Sequence, residues 1–255
     1  MTPLDTAHAA MADGSDIARL KFYECFADGE VFLLLEGEAQ GDKITPALLT
    51  DEDTNFVILF DRELRLSTYA GDVAPHVTLS GRGVVEMLKG QGIGIALNPG
   101  EISDTLIAPQ SIDWLATTLA NRPEEHTKTP SELRAPGTVP EALMQALDRK
   151  LASARGLAHS AYLAGVGYDD GSHGHLLAFV DAVPDAQPAL ANAVAEALTF
   201  SGVEAAALDV TFVTTDQPIT ERLARVGLRF DLPMPEGPRA PEMPGSNPEK
   251  PPKLR

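Results

Sequence analysis

Short apolar runs separated by helical segments constrain the fold of this chain more than any other sequence feature. In the first half, residues 31–35, 55–60 and 93–97 are predominantly apolar runs bounded by charges or turns, as buried strands are. Segments with helical spacing lie before and between them. The first of these helices has Thr2 as its predicted N-cap and Pro3 at its first position. This alternation predicts a mixed α/β sheet with flanking helices.

The second half shows the same mixture of elements. After a helix with leucine at every fourth position, residues 159–168 and 175–181 are predicted strands joined by a turn-rich segment, as in a β-hairpin. A helix, a strand at residues 208–213 and a short final helix follow. The predicted fold class is therefore α/β to α+β, with two comparable mixed-sheet domains and flanking helices.

Proline-rich segments set the predicted domain boundaries. Residues 122–140 contain four prolines among polar residues and show no sustained period, as expected of a linker. From Leu232 onward the chain has eight prolines and no aromatic residue, so it cannot bury enough apolar surface to offset its ordering entropy. The predicted division is a first domain at residues 1–121, a linker at 122–137, a second domain at 138–231 and a disordered, proline-rich C-terminal tail at 232–255.

The charge balance argues against two classes of partner. The chain has 37 Asp and Glu against 20 Lys and Arg, a formal net charge of −17. Binding to nucleic acid or to an anionic membrane surface depends on clustered Lys and Arg, so we expect neither partner. No apolar run approaches the ~18 residues of a membrane span, and the first residues lack the features of a secretory signal. A cytoplasmic location is therefore expected.

Familiar catalytic motifs do not fit the chain. Cys25 is predicted near the C-terminal end of an amphipathic helix, where the helix dipole disfavours a thiolate, so we expect a packed core thiol. Gly90, Gly92 and Gly94 follow a helix and precede a strand, the reverse of the order in a dinucleotide-binding fingerprint. We therefore expect no catalytic residue and no cofactor, and predict that the protein is not an enzyme.

Two short segments contain the candidate binding residues. His173 and His175 stand two positions apart in the predicted hairpin, where both imidazoles could share one face, but no clear third metal ligand accompanies them. Asn98, Pro99 and Gly100 form a tight turn directly after a buried strand. Because strand-end loops often carry binding groups, this turn is the candidate ligand-binding loop of the first half.

Several of these segments together resemble the SseB family, the bacterial enhanced serine sensitivity proteins. The resemblance is carried by the opening of the first helix, by the strand at 31–35 and by a continuous stretch of residues: Gly83, Val84, Val85, Leu88, Gly92, Gly94, Leu97, Asn98, Pro99, Gly100, Ile107, Ala108, Pro109, Ile112 and Leu115. The second half resembles the family's C-terminal domain through Pro140, Leu143, Leu147, Leu151, Ala161, Tyr162 and Leu163. The resemblance implies two domains and a bacterial cytoplasmic setting, and it brings no catalytic residues.

Three hypotheses about function follow from the sequence. The leading one is a non-enzymatic interaction or regulatory protein with an unknown protein partner, or one that self-associates through an apolar helix face around Trp114. The second is a binder of an amino acid or related metabolite at the turn that begins with Asn98. The third is a metal-dependent enzyme that uses His173 and His175.

Overall fold

The computed structural model describes residues 1–38, 41, 43–124, 128–203 and 208–232. The described chain combines helices with two mixed β-sheets, so the predicted fold class is confirmed. The predicted C-terminal tail lies outside the described residues except for Leu232, whose side chain is buried. Contacts divide the chain into two compact units. The first comprises Met1–Lys128, Thr138–Leu147 and Ala191–Ala207, and the second comprises Thr129–Gly137, Asp148–Leu190 and Leu208–Arg255.

The first unit alternates helices with strands. Its strands are β1 (Glu30–Leu34), β2 (Leu48–Asp51), β3 (Thr54–Phe60), β4 (His76–Ser80), β5 (Gly94–Leu97) and β6 (Thr105–Ile107). Its helices are α1 (Pro3–Ala10), α2 (Asp16–Asp28), α3 (Glu63–Ala70), α4 (Gly81–Leu88) and α5 (Pro109–Ala120). The strand order is β4-β1-β3-β5-β6, and β2 pairs with β3. The β3–β5 pair is parallel, and the other pairs in this sheet are antiparallel.

The two faces of this sheet pack against different helices. Leu33 pairs with Leu59, and both lie in the main core with apolar residues of α1, α2, α4 and α5. The next residues along the strands, Leu34 and Phe60, point to the opposite face and pack with Leu66 of α3. This period of two is the alternation expected of strands that are buried on both faces. The short helix α3 therefore lies apart from the helices of the main core.

The strands predicted from apolar runs are confirmed, whereas the sequence pattern misses β2, β4 and α3. The two missed strands lack a continuous apolar run. In the structure β2 is mostly exposed and β4 is about half-buried. They form because β3 and β1 present unpaired backbone groups to them. A pairing that depends on a neighbouring strand leaves little trace in local sequence.

The second unit is built around a long central strand. Its strands are β7 (Pro130–Arg134), β8 (Ser160–Tyr168), β9 (His173–Val180), β10 (Leu208–Val213) and β11 (Leu228–Asp231), and α8 (Pro218–Val226) belongs to it. Helices α6 (Glu141–Ser153) and α7 (Gln187–Phe200) each contribute residues to both units. The strand order is β10-β9-β8-β11, with β7 also on β8. The predicted hairpin is confirmed as the antiparallel β8–β9 pair.

Strand β7 lies inside the segment predicted as a linker. Its residues are polar and mostly exposed, so they show no apolar period, yet they pair with the C-terminal half of β8. The N-terminal half of the same edge of β8 pairs with β11. A polar segment becomes a strand here because β8 is long enough to accept two short partners along one edge.

The two sheets share one connection pattern. In each, a first strand (β1 or β8) pairs antiparallel with a second (β3 or β9), which pairs parallel with a third (β5 or β10). The remaining edge of the first strand takes an antiparallel strand, β4 or β11. A parallel pair needs a crossover connection, and this connection includes α3 and α4 between β3 and β5, and α7 between β9 and β10.

The C-terminal part of α7 belongs to the core of the first unit. Phe200 is fully buried in the cluster that contains Phe22 and Phe26 of α2. Phe200 of α7 therefore joins a core whose other residues lie before residue 121. The predicted boundaries at residues 121 and 138 stay a prediction, which a stability measurement can test.

The Phe200→Ala variant is expected to lose about 3–5 kcal/mol of unfolding free energy, since it leaves a ring-sized cavity in a close-packed core. The loss is measured by urea unfolding followed through the fluorescence of Trp114, the single tryptophan, which lies in the first unit. Thr199→Ala, at an exposed position next to Phe200, is the control and should change the free energy by less than about 0.5 kcal/mol. Equal stability of the two variants would show that Phe200 does not support this core.

Candidate functional site

Arg65 on α3 is the centre of a polar network in the first unit. Its guanidinium makes a two-pronged pair with Asp5, with Nη1 to Oδ1 at 2.9 Å and Nη2 to Oδ2 at 2.7 Å. Nη1 also lies 2.8 Å from Oδ1 of Asp61, and Nε lies 3.6 Å from Oε2 of Glu101. The Arg65 side chain is 14% exposed and that of Asp5 is 0% exposed, so the pair is withdrawn from water.

The start of α1 brings Asp5 to this position. Thr2 is the N-cap, and its hydroxyl accepts the Asp5 backbone N–H while the Asp5 carboxylate accepts the Thr2 backbone N–H. This capping box confirms the predicted helix start. The Thr2 hydroxyl in turn donates to Oδ2 of Asp61 at 2.5 Å. The cap of α1 is thereby tied to the loop that follows β3.

Asn98, the first residue of the predicted ligand-binding loop, is an internal part of this network. It is fully buried with φ of +50°, and its Oδ1 accepts the Asp61 backbone N–H at 3.0 Å. Its Nδ2 donates to the Ser103 hydroxyl at 2.9 Å, and that hydroxyl donates to Oδ1 of Asp5 at 2.6 Å. Pro99 is half-buried and Gly100 is exposed. A ligand-binding role for this loop stays a prediction.

The network strongly favours the charged form of its central pair. The hydrogen bond from Arg65 holds the pKa of Asp5 well below the ordinary carboxyl value, against burial, which by itself raises that pKa. Hydrogen bonds from Ser103 and from the Thr2 backbone lower the Asp5 pKa further. The hydrogen bond to Asp5 also raises the pKa of Arg65 above its already high value. Asp5 and Arg65 therefore act as a fixed ion pair at neutral pH.

The outer side of α3 borders a shallow depression of about 290 Å³. Its apolar walls come from Leu64, Leu66, Val73 and Ala74, and its polar groups come from Glu63, Ser67 and His76. Two of the apolar side chains are largely open to solvent, since Leu64 is 75% exposed and Val73 is 89% exposed. Arg65 and Leu64 are consecutive in α3, so the helix that carries the central residue of the network also borders the depression.

Ile102 adds a further exposed apolar side chain near α3. It is 70% exposed and stands between Glu101 and Ser103, both of which contact Arg65. Exposed apolar residues are ordinary when they are scattered singly. Leu64 and Val73 instead border one depression, and we call these two residues the α3 surface.

The structure places the histidine pair in the second unit. His173 and His175 lie on β9 in the second unit, and Nε2 of His175 is 2.8 Å from the carbonyl oxygen of Pro136. Within the described residues, no group of at least three His, Cys, Asp or Glu side chains could hold a metal ion. Metal binding by the pair stays a prediction.

The remaining predicted positions have packing contacts. Cys25 lies in α2 and is half-buried against the main core. Trp114 is 41% exposed, and its ring packs on Tyr23 with centroids 5.6 Å apart. Gly90 is followed by a tight turn into β5, and its N–H donates to Asp113. None of the described helices is both long and apolar enough to span a membrane.

Sequence reasoning missed Arg65, Asp61 and Ser103. Each lies in a polar stretch without a motif, and only the ends of β3 and β5 bring them together. The one available signal was the position of Asp61 and Asn98, each directly after a buried strand. Since β3 and β5 are parallel, their carboxyl ends meet at one edge of the sheet.

Asp5→Asn is expected to lower the free energy of unfolding by about 3 kcal/mol, because it leaves the buried Arg65 charge without its main partner. Because the pKa of Asp5 is lower in the folded protein than in the unfolded chain, the charged carboxylate stabilises the fold at pH values above the unfolded-state pKa of about 3.9. This stabilisation is lost as the pH falls below that value. The wild type should therefore lose more stability than Asp5→Asn when the pH is lowered through about 4. Urea unfolding at a series of pH values measures both effects.

Glu101→Gln is the matched control, since Glu101 is partly exposed and lies farther from Arg65. It should cost less than about 1 kcal/mol. If Asp5→Asn and Glu101→Gln have equal stability and equal acid sensitivity, Asp5 is not the principal partner of Arg65.

Comparison with known proteins places the network inside a described domain family. Residues 4–114 match the family model described as SseB protein N-terminal domain. No curated protein and no solved structure matches the chain. The matched segment includes α3, β5 and the network residues from Asp5 to Ser103. The resemblance of the second half stays a prediction, whereas residues 4–114 are similar to the N-terminal domain of SseB proteins.

Proposed function

We propose that the protein is a non-enzymatic interaction module and that the α3 surface binds another protein. The observation that carries this proposal is the placement of Leu64 and Val73, exposed by 75% and 89%, on the border of one depression. Apolar anchors that fill a partner's pocket contribute most of the energy at many interfaces. Such side chains cost solubility when they stay uncovered, which supports a role in binding.

The buried network supports this proposal by holding the surface in one conformation. Arg65, the third residue of α3, is hydrogen-bonded to Asp5, Asp61 and Ser103, which lie outside this helix. An anchored helix loses little conformational freedom when a partner binds. The network therefore favours recognition by a preformed surface over folding upon binding.

The net charge supports a partner that is itself positively charged near its contact surface. At −17 the protein attracts basic proteins and repels nucleic acid and anionic lipid. Glu63 beside the depression adds local negative charge. We place this interaction in the cytoplasm, in line with the composition and the single cysteine.

The double variant Leu64→Ser with Val73→Ser should lose partner capture while remaining folded. Tagged wild-type protein and variant are cross-linked in lysate of the native organism, and captured proteins are quantified by mass spectrometry. At least one protein should fall about tenfold or more in the variant, because removing apolar anchors of this size costs roughly 1.5–3 kcal/mol each. Circular dichroism verifies the fold of each variant.

The matched control is Val183→Ser with Leu228→Ser. These residues are exposed by 45% and 44% and lie in the second unit. The control repeats the same pair of substitutions away from the α3 surface. If every captured protein is retained equally by both double variants, or if wild type captures nothing above background, the proposal is wrong. Capture of the chain by itself would identify self-association as the interaction.

A second candidate function is the binding of a small metabolite, favoured by the depression of about 290 Å³ beside α3. This volume is close to the lower end of ligand pockets, which commonly run from about 300 Å³ upward. A ligand that binds only the native state raises the unfolding temperature by mass action. A thermal-shift panel of amino acids and related metabolites at millimolar concentration tests this function, and the absence of any shift counts against it.

A further inference from the structure

The polar groups of the depression are hydrogen-bond acceptors. Glu63 contributes a carboxylate whose side chain is 67% exposed. The Ser67 hydroxyl uses its proton on the Leu64 carbonyl oxygen, at 3.1 Å, and keeps its oxygen for accepting. Among the side chains that the structure describes around this depression, none is a lysine or an arginine. A ligand here would therefore need to supply the donors.

His76 is oriented as a third acceptor. Its Nδ1 lies 3.0 Å from the carbonyl oxygen of Ala74, so in the neutral ring the proton resides on Nδ1, which donates to that oxygen. Nε2 then keeps its lone pair and lies 3.8 Å from Oε1 of Glu63. An edge-to-face contact with Phe32, at a centroid distance of 5.8 Å, holds the ring in place. The 3.8 Å gap is too long for a hydrogen bond and leaves both acceptors available to a donor between them.

The remaining walls suit an aliphatic chain. Leu64, Leu66, Val73 and Ala74 line the same depression, and Leu66 is buried against Phe60 and Ile58 below it. Lysine combines an apolar stem of four carbons with an ammonium group that has three rotatable donors and no acceptor. That combination matches apolar walls with separate acceptors better than a planar guanidinium, which prefers a paired, coplanar partner.

We infer that the depression beside α3 receives a lysine side chain of the partner protein. The ammonium group binds Glu63, Ser67 and His76, while the aliphatic stem packs between Leu64 and Val73. This inference rests on the proposed function and names the chemistry of its partner. The net charge of −17 favours the approach of such a lysine-bearing surface.

The test uses short peptides as probes on the full-length protein. One peptide has a central lysine flanked by leucines, and its twin has norleucine, which keeps the aliphatic stem and lacks the ammonium group. Titration to about 10 mM is followed by amide chemical shifts in NMR, a range that detects weak sites. The lysine peptide should shift the amides of residues 63–67 and 73–76 and bind about three- to tenfold more tightly than its twin.

Glu63→Gln should remove most of this preference, and Glu86→Gln is its matched control. Glu86 is also an exposed helical glutamate, so both variants change the net charge equally. Equal binding of the two peptides, an unchanged preference in Glu63→Gln, or no binding of either peptide overturns the inference. The capture experiment with the Leu64 and Val73 double variant tests the proposed function independently of the peptide titration. Capture that depends on the apolar pair but not on Glu63 would keep the proposed function and reject the lysine.

Discussion

The buried pair between Arg65 and Asp5 is the interaction on which the rest of the first unit depends. Moving two charges out of water is costly, and only close, two-pronged geometry with further hydrogen bonds makes such a pair tolerable. Here Ser103, Asp61 and the Thr2 backbone supply those bonds. Carboxylates outnumber the guanidinium, so removal of Arg65 would leave mutually repelling charges in a dry site. One arginine thereby fixes α1, α3 and the loops after β3 and β5 relative to one another.

The position of this network bears on where we place the proposed binding surface. The carboxyl ends of parallel strands are where α/β sheets commonly bind ligands. In this domain that edge holds Asp61 after β3 and Asn98 after β5, and the cap of α1 covers it. The polar groups of Asp61, Asn98 and Thr2 thus hydrogen-bond to one another. The exposed face of α3, held from behind by Arg65, is left as the surface that contacts partners in our proposal.

In both units a residue with positive φ follows one strand of the parallel pair, and its side chain accepts a backbone N–H beyond the other strand. After β5, Asn98 has φ of +50°, and its side chain accepts the N–H of Asp61 beyond the neighbouring strand. After β9, Asp181 has φ of +49°, and its carboxylate accepts the N–H of Thr215 beyond β10. Asparagine and aspartate tolerate this left-handed backbone better than most residues. In both units a side chain after one strand of the parallel pair thus accepts a backbone N–H after the other strand, although the accepting side chain follows β5, the third strand, in the first unit and β9, the second strand, in the second.

The sequence by itself determined the elements whose information is local. Apolar runs specified β3 and β5, apolar spacing specified helices such as α5 and α6 but not α3, and Thr2 with Asp5 specified the start of α1, because periodicity and capping act over a few residues. The tertiary structure alone decided the rest. It paired β2, β4 and β7, which lack a continuous apolar run, with neighbouring strands, and it placed Phe200 in a core whose other residues lie 80 positions or more earlier in the chain. It also joined Asp5 to Arg65 across 60 positions. Such contacts depend on which surfaces meet after folding, and no local pattern encodes them.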